Sequence, residues 1–247
     1  MLSPKKILCA MLLLAAAAHA QEGGDVQAQI LYAYHTEDTN SLTNLIQGMG
    51  AKLKDAPDDA ALRYHLAHAQ YRFGQLAAAG AGRGAETAFA ECIDELKPLL
   101  KKNVKSAEAL VLQGACYGGL AGCSSVQAVL LRSRAADRLQ QAAKLAPRNP
   151  RLLLIEATQG LARAEPGSPE HRQALAQLNA ATEEFDASSA TSIDVPGWGH
   201  AQAYLAMGRE LQTHGDTVGA RNWIEKALIA APDYKAAQRQ LASLGQR

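Results

Sequence analysis

The sequence predicts an all-α fold, an α–α superhelix of stacked helical hairpins with short helical flanks. Three observations predict it. Residues 201–234 form one near-complete two-helix unit. Looser copies of its spacing recur upstream, back to Pro57. The chain is rich in alanine with only 5% aromatic residues, a composition that suits helices in close contact and argues against a β-sandwich.

The last unit reads AQAYLAMGRELQTHGDTVGARNWIEKALIAAPDY, from Ala201 to Tyr234. Tyr204, Met207, Gly208 and Leu211 lie at i, i+3, i+4 and i+7, one face of a helix. Gly208 costs about 1 kcal/mol in a helix interior relative to alanine, which makes sense where a second helix must approach closely. Ala220 and Ala227, seven apart, supply small contacts on that second helix, and Ile224 a large one. Gly215 is placed to end the first helix in the left-handed conformation, Asp216 to cap the next, and Pro232 to stop it. This register resembles the tetratricopeptide repeat (TPR), whose period is about 34 residues.

From the N-terminus, the elements justify themselves in turn. Residues 1–20 read as a secretory signal peptide: Lys5 and Lys6, an apolar stretch from Ile7 to Ala18, and a small-x-small site ending at Ala20. Leu8 before Cys9 does not fit a lipoprotein signal, and the apolar run is short of the roughly 20 residues a transmembrane helix needs. Residues 21–56 are a helical lead-in. Within it Thr39 to Lys54 is amphipathic, carrying Leu42, Leu45, Ile46, Met49 and Leu53, while Val26 to His35 fits a helix or an extended segment equally. The repeat domain, residues 57–247, holds about four units. The first opens at Pro57, matches the pattern at Leu66, Ala67 and Gly74, and turns through the glycine-rich stretch 79–84. Its second helix is Glu86 to Lys102, with a kink expected at Pro98. The next places Leu110, Gln113, Gly114 and Tyr117, then an apolar insertion from Cys123 to Leu131 expected to lengthen the second helix or its approach, then Ala135, Leu139, Ala142 and Pro147. The third runs from Pro150, with Leu153 and Ala157 in register, a first helix to about Ala164 and a second from His171 to Phe185. Residues 186–200 are irregular. Residues 235–245 are a capping helix for the last apolar face.

Charge and motifs exclude several functions. Without residues 1–20 the chain carries 23 basic against 24 acidic residues, so no basic excess is available for nucleic acid or anionic lipid. No nucleophile elbow, phosphate-binding loop or His-Glu-x-x-His motif is present, and nothing calls for a cofactor. His65 and His68, at i and i+3, lack a third ligand nearby and read as polar helix residues, so no metal is expected. Three cysteines follow the leader. Cys92 and Cys116 sit at matching heights on helices returning past a turn near Val104, which makes their pairing a possible disulfide. Cys116–Cys123, or three free thiols, are the other outcomes.

The TPR resemblance implies a concave face, lined by the first helices, that holds a protein or peptide. Transferred position by position, it assigns Tyr64, His68, Tyr71 and Arg72 in the first unit and Glu108 and Val111 in the second. It adds Arg151, Leu154 and Thr158 in the third, and Gln202, Leu205, Arg209 and Gln212 in the last. Tyr and Arg are enriched at binding hot spots, though Tyr64 and Tyr71 could equally cover a neighbouring helix. Trp198 is expected to pack under its loop against the last repeat. Together with the leader, these features predict an exported, non-catalytic interaction module or scaffold of the cell envelope. The competing readings are a ligand- or metal-binding protein or enzyme with a pocket near His65, His68 and Trp198, and a self-assembling structural subunit.

Overall fold

The structure, a computed structural model, describes residues 26–81, 83–188 and 196–245. The leader lies outside the described residues, as do residues 189–195 of the irregular stretch. Among the described residues are eleven α-helices and no strand. Helix α1 spans 26–35, so the lead-in is helical there. It is followed by α2 (Thr39–Asp55), α3 (Ala60–Leu76), α4 (Ala85–Lys102), α5 (Ala107–Cys123) and α6 (Ala128–Leu145). The remainder are α7 (Pro150–Leu161), α8 (Pro169–Ser188), α9 (His200–Thr213), α10 (Thr217–Ala230) and α11 (Lys235–Leu244).

Helix starts are set by side chains that satisfy the orphan backbone N–H groups of the first turn. Asp38, Asp59, Ser106, Asn149 and Asp216 each accept from such an N–H. Gly215 has φ 84°, the left-handed turn between α9 and α10. The insertion lies, as expected, in the second helix and its approach: α5 ends at Cys123, residues 124–127 connect, and α6 takes in 128–131, where Ala128 and Leu131 are buried while Val129 and Leu130 stay exposed. Helix α4 continues through Pro98.

The pairs α3/α4, α5/α6, α7/α8 and α9/α10 form four antiparallel hairpins, stacked in chain order. In the last, Ala220, Ile224 and Ala227 are fully buried against Tyr204 and Leu205. A Cβ on Gly208 would stand 2.6 Å from Ile224 Cγ1 and 3.1 Å from the Ala220 carbonyl oxygen, so the backbones touch where the glycine lies. A disulfide joins Cys92 on α4 to Cys116 on α5, tying the first hairpin to the second across a Cα–Cα distance of 6.3 Å, while Cys123 is free and exposed. The cross-link sits inside the largest apolar cluster, with Phe89, Leu96, Leu112 and Leu152.

The ends of the array meet. Tyr34 packs both against the N-terminal cluster of α1, α2 and α3 and against that of α9, α10 and α11. His35 hydrogen-bonds Gln202 on α9 at 3.1 Å, and Arg239 on α11 holds Glu37 with both guanidinium Nη atoms, at 2.8 and 2.5 Å. Residues 31–37 thus bridge the first helices of the first and last units.

Candidate binding site

The first helices α3, α5, α7 and α9 bring the assigned side chains to one side, but most of them face the protein's own chain. His68, Tyr71, Arg72, Arg151 and Leu205 are all buried. Tyr64 and Gln202 are half-buried, and Arg209 alone of the eight leading candidates is exposed. The open gripping face expected from the register is therefore corrected: α1 and residues 196–199 occupy the concavity.

Trp198 is the centre of this filling, at 1% exposed. It does not pack against the last repeat, as expected, but reaches the first. Its Nε1 donates to the Tyr64 hydroxyl at 3.0 Å, and its ring stacks on His68 with centroids 5.6 Å apart and lies 6.3 Å from that of Tyr71. The Arg72 guanidinium lies over Tyr34 at 4.5 Å and over Trp198 at 5.1 Å, so ring faces stand in for the carboxylate a buried charge usually finds. Arg151 grips Glu108 through Nε and Nη2, both at 2.8 Å, and its Nη1 donates to the Pro196 carbonyl at 2.6 Å. That fork pins the loop to α5 and α7.

Burial dictates the protonation states. The Nε of Arg72 donates to His68 Nε2 at 3.0 Å, which makes Nε2 an acceptor and places the ring hydrogen on Nδ1, where it has no protein partner. Burial, then the Arg72 charge, holds His68 well below the usual imidazole range. Tyr71 is pushed up to about 12 and Tyr64 is raised as well, in both cases chiefly by burial. A neutral, stacked His68 against a buried indole is a packed interior, which disfavours the alternative of a ligand pocket at His65, His68 and Trp198.

What remains open is the C-terminal end of the same face. Arg209 and Gln212 of α9, with Thr213 and with Gln240 and Ser243 of α11, line a pocket of about 610 Å³. Its walls form an amide network: Arg209 Nε donates to Gln240 Oε1 at 3.3 Å, Gln212 Nε2 to Ser243 Oγ at 3.2 Å, and Gln240 Nε2 to Gln212 Oε1. Such walls offer donors and acceptors to a peptide backbone and one guanidinium to a carboxylate. Sequence reasoning found Arg209 and Gln212 but missed Gln240 and Ser243. Their i, i+3 spacing on the capping helix was the available signal. Tyr34 and His35, which close the ring, had no local signal.

Four stacked antiparallel hairpins with a capping helix define a helical-repeat protein, and the fold is that of the tetratricopeptide repeat. The structure is similar to the crystal structure of a thermophilic TPR protein from Thermus thermophilus, with a TM-score of 0.64 and 18% sequence identity, over 92% of this chain and 100% of that chain. No protein-family model and no curated protein matches the sequence. Among the described residues, no helix is long and apolar enough to cross a membrane.

Proposed function

We propose that the protein is an exported, non-catalytic module of the cell envelope that binds a peptide or protein through the open end of its concave face. One observation carries this reading: Arg209, assigned to the partner-facing register, is exposed, and with Gln212 of the same register it lines a polar pocket that Gln240 and Ser243 complete. The leader-like residues 1–20 support export. So does the buried Cys92–Cys116 bridge, since disulfides persist in oxidising compartments. The near-neutral charge favours a protein partner over nucleic acid. The locked, neutral His68 supplies neither an acid nor a base, in keeping with a binding role.

Crosslinking with mass spectrometry in native envelope extract tests the proposal. It is expected to capture a protein partner with crosslinks on α9 and α11, and Arg209→Glu, on an exposed side chain, is expected to reduce the capture about tenfold. Capture of no partner, or capture indifferent to Arg209→Glu and mapped elsewhere, would sink it.

A further inference from the structure

The start of α8 meets the end of α9, and three ligand-type side chains converge there. His171 lies in the first turn of α8, Glu210 in the last turn of α9, and His214 follows it by four residues. One donor atom from each lies within 4.8 Å of the other two. His171 Nε2 is 3.2 Å from Glu210 Oε2, and His214 Nδ1 is 4.0 Å from the same oxygen. The two imidazole rings stand 5.2 Å apart.

From this convergence we infer a divalent transition-metal site of the zinc class, formed by His171, Glu210 and His214 between the third and fourth hairpins. Two imidazoles and one carboxylate are a donor set that zinc takes, with bonds of about 2.0–2.2 Å. Donors on a tetrahedron of that size stand about 3.3 Å apart, which the His171–Glu210 pair already matches. His214 is the ligand that must move, by on the order of 1 Å, and its side chain is 44% exposed and free to do so. The other two are held. His171 is 7% exposed, with its backbone N–H capped by Ser168, and Glu210 is 21% exposed. His214 Nδ1 lies 2.8 Å from the Glu210 carbonyl oxygen, a contact the ring gives up when Nδ1 turns to the ion. The neighbouring cations are engaged elsewhere: Arg172 donates to the Gly167 carbonyl and Arg209 to Gln240. The exposed side of His214 leaves the fourth coordination position to water or to a partner's donor. A bound ion would fasten α8 to α9, two helices that otherwise meet through modest side-chain packing.

The test titrates zinc chloride into chelator-stripped protein carrying no histidine tag, read by calorimetry and by thermal unfolding. The wild type is expected to take up a single equivalent and to gain stability as zinc saturates. His214→Ala removes an exposed ligand without touching the core and is expected to weaken binding at least about tenfold. His171→Asn should abolish it, while His200→Ala, at a histidine outside the trio, should leave it unchanged. Absence of saturable uptake at micromolar zinc, or uptake that His214→Ala leaves intact, overturns the site. Because His214→Ala carries the decision, a folding defect in His171→Asn would not obscure the result.

Discussion

Replacing Trp198 by alanine removes the side chain that fills the concavity, and its cost can be worked from its contacts. Truncation of a buried tryptophan costs about 3–5 kcal/mol through lost transfer free energy and the cavity left behind. Trp198 is 1% exposed and belongs to the central apolar cluster, so the site cannot easily collapse. The Tyr64 hydroxyl loses a donor, about 1 kcal/mol, and the Arg72 guanidinium loses one of the aromatic faces that offset its burial, about 1 kcal/mol more. These are not additive, and about 4–5 kcal/mol is the expected total. For a chain of this size that lowers the melting temperature by roughly 8–20 °C. Thermal and urea unfolding, followed by circular dichroism, check the figure. Amide exchange in α3 and α7 should quicken at the same time, because the loop they hold has lost its anchor. Trp198→Phe keeps the stacking on His68 and should recover most of the loss. A melting temperature for Trp198→Ala within about 2 °C of the wild type would refute the reasoning, since residues 196–199 would then be a cover resting on the face and not part of the core.

Three further perturbations follow from the same packing. Reducing the Cys92–Cys116 bridge frees a loop of 24 residues' separation and should cost about 3.5 kcal/mol in the chain-entropy account, seen as a lower melting temperature with dithiothreitol; Cys123→Ser should not move it. Gly208→Leu drives a side chain into Ile224 and the Ala220 carbonyl, and should lose about 2–3 kcal/mol in urea unfolding despite leucine's better helix propensity. His35 is held down to about 4, first by burial and then by Arg72, below the 6.5 of an exposed imidazole. The folded state therefore resists protonation that the unfolded chain accepts, so its stability is intact above pH 6.5 and falls as pH drops towards 4. The His35 share is roughly 3 kcal/mol, and His35→Phe should flatten the loss between pH 7.5 and 4.5 by most of it.

The hairpins were legible because each is specified within its own 34 residues or so. The i, i+3, i+4, i+7 face of Tyr204, Met207, Gly208 and Leu211, the turn at Gly215 and the cap at Asp216 are local chemistry, and Asp59, Ser106 and Asn149 repeat the cap upstream. The register also singled out Arg209 and Gln212, which line the pocket between α9 and α11. What periodicity cannot carry is the identity of the surface facing that side. A repeat specifies how a helix meets its immediate neighbours, whereas the concavity is filled by Trp198 bonding Tyr64 across 134 positions and by Arg239 holding Glu37 across 202. Such pairings leave no spacing to read. The same limit hides His171 from sequence reasoning: its carboxylate partner is 39 positions away, on another hairpin. It also explains why the two readings of Tyr71 stand level, and why Arg72 reads as partner-facing. An aromatic and a guanidinium on a concave helix face are suited to gripping a peptide, and here they grip the chain's own indole and Tyr34 by the same cation–π and stacking forces. In this fold the N-terminal helix and the 196–199 loop stand where a ligand stands in an open array, so residue type alone could identify the chemistry of that face but not whether its occupant comes from within the chain or from outside it.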